Sequence, residues 1–156
     1  MSKSLQRVLE ALTAAQMGTI ALEMPDETRT AAQAAEAAGC DVNQIAKSII
    51  FAGADSGALF LFITAGGNQV DPAAAAALAG EPLTHAHPHD VRGTTGFAID
   101  SVSPIGHVNP IRRFLDQTLL EFGLIYAAAG TPRHIFAINS DDLAKISNAQ
   151  VFDFKS

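Results

Sequence analysis

The sequence predicts an α+β fold: a single domain over residues 1–156, with a curved, mixed but mostly antiparallel, barrel-like sheet surrounded by helices. Three observations predict it. Segments rich in β-branched and aromatic residues outnumber helical ones, and several neighbours are joined too tightly for parallel crossovers. A chain of 156 residues with 48% hydrophobic and 17% charged residues can bury one core, but it is too short for a second sizeable domain. No repeat or linker interrupts it.

The elements follow in order. Leu5, Val8, Leu12 and Ala15 recur at three- and four-residue spacings, which predicts a helix over residues 4–17 with one apolar stripe. Residues 19–22 read as a short strand, and Pro25-Asp26-Glu27 as a turn. Thr30 with Gln33 three residues later is a capping-box pattern, opening an alanine-rich helix that ends at Gly39. Asp41 can cap a short helix through Gln44 and Ile45. The period then changes: residues 48–52 and 59–64 read as buried strands, paired antiparallel through the turn Gly53–Gly57. Gly66-Gly67-Asn68 ends the second strand, Asp71-Pro72 opens a helix over an alanine run, and Gly80-Glu81-Pro82 stops it.

The second half is shorter-paced. Residues 82–93 predict a strand, a turn and a one-turn helix, and residues 96–99 a strand. An irregular loop follows, Ser101-Val-Ser-Pro-Ile-Gly106. Residues 113–116, 124–129 and 134–138 are further strands, with Gly130-Thr-Pro as a turn before the last. Ser140 starts a closing helix.

A net charge of −6 argues against tight, nonspecific binding to duplex nucleic acid, whose affinity comes largely from neutralised phosphates. No DNA partner is expected, and contact with any nucleic acid must be local and chemically specific. No apolar run reaches the ~18 residues needed to span a bilayer, and the N-terminus lacks a signal-peptide block. A cytoplasmic protein, monomeric or a small homo-oligomer and without membrane contact, is the expectation. The single cysteine, Cys40, excludes an intramolecular disulfide framework, and its place after a helix C-terminal glycine is the wrong setting for an activated thiol.

Few residues carry chemistry. Lys47 stands where a helix hands over to a buried strand: either a solvated lysine at a strand edge, or a cation at the rim of a cleft gripping a phosphate or a developing oxyanion. The loop from Ser101 through Ser103 and Pro104 to Gly106 is either a plain β-connection or a rigid turn whose N–H groups converge on a carbonyl oxygen. His85, His87 and His89 invite a metal reading, but Pro88 breaks the strand spacing and no acidic partner set follows; no metal and no cofactor is expected. His107 and His134 lie near glycine loops without a nucleophile elbow, and no phosphate-binding glycine motif is present.

Three stretches occur in an order that resembles the YbaK/prolyl-tRNA-synthetase-associated domain family, the free-standing aminoacyl-tRNA deacylases. They are residues 30–51 around Lys47, residues 95–107 with Pro104 and Gly106, and Ala127-Ala-Ala-Gly130 leading to Asp142-Leu143. The resemblance spans nearly the whole chain. It implies a YbaK-like fold and a trans-editing hydrolase acting on the ester of a mischarged tRNA, expected to be tRNA-Pro bearing a small amino acid. Prolyl-tRNA synthetase is the implied protein partner. It also implies that Lys47 is the essential residue, acting with Ser101 and Gly106. Asp100, Ser103, Pro104, His107, Gly130 and His134 would then bind substrate. Asp100 and Ser101 stand where the family pattern has glycines, so Asp100 is expected to restrict the backbone, repel the 3′ phosphate or pair with Lys47. Two other readings are a non-catalytic module that binds aminoacyl-tRNA or a synthetase, and a metal-dependent hydrolase using the three clustered histidines.

Overall fold

The structure, a computed structural model, describes residues 2–19 and 21–156. Helix α1 (Lys3–Ala14) starts where the Ser2 hydroxyl accepts from the Leu5 N–H, and it buries Leu5, Val8 and Leu12 in the main core. Strand β1 is Ala21–Glu23; Ile20, inside the strand expected over 19–22, lies outside the described residues. Helix α2 (Ala31–Ala38) has the reciprocal Thr30–Gln33 capping box and ends on Gly39 in the left-handed region. Asp41 caps a single 3-10 turn, Val42–Gln44.

Strands β2 (Ile45–Gly53) and β3 (Leu59–Ala65) form the expected antiparallel hairpin. Every residue of β3 is buried, as a strand covered on both faces requires. On one face Leu61 and Ile63 join the main core beneath α1; on the other Phe60 and Phe62 join Phe114, Phe154 and the alanines of α3 (Pro72–Ala79). Beyond α3 come β4 (Leu83–His85), α4 (Pro88–Thr95), β5 (Arg112–Asp116), β6 (Leu124–Thr131), β7 (His134–Asn139), α5 (Ser140–Ile146) and β8 (Gln150–Phe152).

Among the described residues the eight strands form one sheet in the order β1-β7-β6-β2-β3-β5-β8, with β4 also paired to β2. The pairings β1·β7, β2·β3, β2·β4 and β6·β7 are antiparallel, while β2·β6, β3·β5 and β5·β8 are parallel. The sheet is therefore mixed, with antiparallel pairs in the majority.

Two local expectations are corrected. Residues 96–99 are not a strand: Gly96, at φ +83°, ends α4, and the chain then bends through residues 99–101. The short helix before it runs two turns, not one. Strand β8 has no counterpart among the expected strands. It is three exposed residues, held in the sheet by pairing with β5 rather than by an apolar pattern of its own.

Candidate active site

Strand β2 is where the sheet divides. Along one edge it pairs with β3 from Ala46 to Ala52. Along the other, Ile45 and Ala46 pair with β6, whereas Phe51–Gly53 pair with β4. Between those two contacts residues 47–50 have no strand partner on that edge among the described residues. A cleft of about 280 Å³ opens there, lined by Lys47, Ser48 and Ile49. Its walls are Thr30, Ala31 and Ala34 of α2, Tyr126–Ala128 of β6, and residues 99–102 of the loop after α4. The N-terminal end of α2 borders the cleft, a polarity that favours negative charge.

Lys47 lies opposite Thr64 in the β2·β3 register and so shares a face with Ile49 and Phe62. Its ammonium donates to the carbonyl oxygens of Asn68 (2.6 Å) and Gly66 (3.2 Å) in the turn after β3. An ammonium has three donors. Among the described residues the third has no protein partner, and Lys47 is one of the residues lining the cleft. Burial lowers the Lys47 pKa from its ordinary value, and the negative charge of Asp116 partly restores it. The lysine is thus held at the cleft wall with one donor available for a ligand oxygen.

The other expected site residues divide into two groups. Asp100, Ser101 and His134 join Lys47 at the cleft. Asp100 pairs with Arg29, which also bonds Glu27; of the roles expected for its charge, the structure shows pairing, but with Arg29 in place of Lys47. Together with Glu27 it raises the Arg29 pKa. The Ser101 N–H is engaged with the Ala98 carbonyl (3.0 Å). The Nδ1 of His134 meets the Thr131 hydroxyl at 2.7 Å.

Ser103, Pro104, Gly106, His107 and Gly130 are not among the residues lining the cleft. Ser103 is fully buried, and its carbonyl accepts from His107 Nε2 at 2.6 Å. A carbonyl only accepts, so the neutral ring carries its proton on Nε2; burial pushes the His107 pKa down to about 4. Gly106 backs onto α1, where a Cβ would stand 3.0 Å from the Arg7 carbonyl oxygen. Gly130 likewise packs against Phe97 and Ser4. Ser103, Gly106, His107 and Gly130 are thus engaged within the fold and not at the cleft.

The histidine cluster does not assemble. His87 caps α4 by accepting the His89 N–H on Nδ1 (3.1 Å), and among the described residues no three His, Cys, Asp or Glu side chains gather as metal ligands. Burial raises the Cys40 pKa, away from a reactive thiolate. Arg29 was legible in the sequence only as one basic residue among several. Asp116 and Asn68 carried no signal beyond ending their strands.

The sequence pattern of the aminoacyl-tRNA editing domain matches residues 25–146, most of the chain. The chain belongs to the aminoacyl-tRNA editing domain family. A crystal structure described as a candidate trans-editing enzyme for prolyl tRNA synthetase is 42% identical, covers 100% of this chain and 99% of its own, and superposes with a TM-score of 0.92. A scaffold protein from computational epitope grafting is 37% identical over 100% of this chain and 99% of its own, with a TM-score of 0.91. The uncharacterised YwhH protein of Bacillus subtilis (strain 168) is 27% identical over 130 residues, 83% of this chain and 82% of its own.

The editing domain is therefore an aminoacyl-tRNA deacylase, a hydrolase whose substrate is an aminoacyl-tRNA, on the YbaK-like fold. Among its described residues no helix is long and apolar enough to cross a membrane.

Proposed function

We propose that the domain clears mischarged tRNA-Pro bearing a small amino acid, acting in trans beside prolyl-tRNA synthetase in the cytoplasm, with Lys47 as the essential group. The observation that carries this reading is the third donor of Lys47, left available where the sheet divides. The cleft suits a short side chain: Ala34, Ile45, Ile99 and Ile135 leave an apolar space of modest size. Likeness to the candidate trans-editing enzyme supports prolyl-tRNA synthetase as the associated synthetase.

The need for such an enzyme is physical. A synthetase pocket gains only ~1–3 kcal/mol of discrimination per methylene, so smaller amino acids leak through and a second site must remove them. Hydrolysis adds water oxygen to the ester carbonyl carbon. The bond to the ribose oxygen then breaks, and that oxygen takes up the proton that the water gives up. Charge accumulates on the carbonyl oxygen, where Lys47 and the unspent main-chain amides of residues 99–102 would stabilise it. Removing one such donor typically lowers a rate ~100- to 1000-fold. Ser101 contributes position rather than its amide, which the Ala98 carbonyl occupies. Arg29 and the α2 N-terminus would receive the terminal phosphate.

The test is a deacylation panel of tRNA-Pro carrying Ala, Ser, Thr, Cys, 2-aminobutyrate or Pro, run on the wild type and on Lys47→Ala. One small amino acid should be released faster than proline, and the variant should lose that release while keeping its fold. Equal rates on every substrate would overturn the specificity, and full turnover in Lys47→Ala would remove the lysine from the reaction.

A further inference from the structure

Asp116 is completely buried, a costly place for a carboxylate unless its oxygens are satisfied. It ends β5, where Leu115 pairs with Ile63 of β3, so Asp116 falls on the sheet face of Phe114 and Thr64, which is also the face of Lys47. Only β3 separates the two strands. One carboxylate oxygen accepts the Thr118 N–H (2.9 Å), an ordinary cap for the 3-10 turn that follows. The other does more than a cap needs. It accepts the Ala65 N–H (3.1 Å) and the side-chain amide of Asn68 (2.9 Å), which also donates to the Thr118 hydroxyl (3.1 Å). From the opposite side the Asn43 side chain accepts the Gly67 N–H at 2.8 Å. The turn over residues 65–68 is thereby clamped, and this turn supplies both carbonyls that hold the Lys47 ammonium.

We propose that Asp116 and Asn68 are positioning residues for the deacylation: through the clamped turn they aim the Lys47 ammonium into the cleft. Neither residue touches substrate. The inference rests on the reading of Lys47 given above. The other ionisable groups around the cleft are Arg29 and Asp100, already paired with each other, together with Tyr126 and His134. Asp116 is the charged group that acts on Lys47 from within the protein, opposing the effect of its burial.

Two variants of the whole protein test this. Asn68→Ala removes one link and leaves both main-chain bonds to Asp116. Asp116→Asn keeps the shape but turns an amide donor toward at least one of the donors the carboxylate now accepts, and deletes the charge. In Asn68→Ala, kcat on mischarged tRNA-Pro should fall about tenfold with KM nearly unchanged, because positioning is lost and binding is not. In Asp116→Asn, the alkaline limb of the kcat/KM profile should also move to lower pH. The Lys47 amine resonance, followed by NMR in lysine-labelled protein, should titrate at lower pH in the same variant.

A loss of thermal stability alone would not move that limb or that resonance. Wild-type kcat and an unmoved limb in both variants, with Lys47→Ala inactive, would overturn the inference and leave the Lys47 reading standing. If Lys47→Ala is fully active, the Lys47 reading falls and the inference falls with it. If Asp116→Asn does not fold, the kcat of Asn68→Ala decides, and a wild-type value overturns the inference.

Discussion

Arg29 and Asp100, 71 residues apart in the chain, form an ion pair between the turn that leads into α2 and the loop that follows α4. Both line the cleft. The Asp100 carboxylate therefore meets a guanidinium before it can repel a phosphate.

Removing that carboxylate should release Arg29 to the substrate. In Asp100→Ala the KM for aminoacyl-tRNA is expected to fall severalfold with kcat little changed, and the salt slope of binding should steepen by about one phosphate contact, ~0.7–0.9 in log–log units. Arg29→Ala should raise KM instead. Steady-state kinetics between 50 and 200 mM salt check both signs, and a rise in KM for Asp100→Ala would mean that the carboxylate itself contacts the substrate.

The Thr30 cap joins stability to the site, because its hydroxyl accepts the Gln33 N–H (3.1 Å) at the cleft wall. Thr30→Ala should cost about 1 kcal/mol and lower Tm by roughly 2–4 °C. Thermal unfolding by circular dichroism reads this directly. An unchanged Tm would show that the cap carries no weight.

His107 should make the fold acid-sensitive. Its folded-state pKa, about 4, lies below the ordinary 6.5, chiefly because it is buried. Between those values the unfolded chain binds the extra proton, so stability rises with pH across the interval and is lost as pH falls from about 6.5 to 4. At ~1.4 kcal/mol per unit the full effect is of order 3 kcal/mol. His107→Gln, less stable at neutral pH because the bond to the Ser103 carbonyl is disturbed, should show a flatter profile in urea unfolding. Parallel profiles for the two proteins would contradict this.

Gly130 admits no side chain. It sits at φ +90°, and a Cβ there would stand 2.8 Å from Phe97 and 2.9 Å from the Ser4 carbonyl oxygen. Gly130→Ala should destabilise by about 1–3 kcal/mol through strain and overpacking, in a residue outside the cleft lining. The midpoint of urea unfolding is the measure. A midpoint at the wild-type value would mean that the helix and strand part freely.

The sequence by itself determined the elements whose signals lie within a few residues of one another. The Thr30–Gln33 box, the Asp71-Pro72 helix start and the apolar runs of β2 and β3 each specify their conformation locally, through caps and side-chain period. It also put Lys47 just before a buried strand, which the structure extends back to Ile45 so that it includes the lysine, and its ordered motifs carried the family. Tertiary structure alone decided the rest. Strand β8 exists because β5 offers it hydrogen bonds, and residues 96–99 bend because Gly96 closes α4 in the left-handed region. Asp100 found Arg29, and Asp116 came to lie one strand from Lys47, only once the parallel β3·β5 pairing had formed. Capping and periodicity act over one turn of backbone. Which strand edges stay unpaired, and which charges meet across a cleft, depends on residues dozens of positions apart, and no local pattern encodes that.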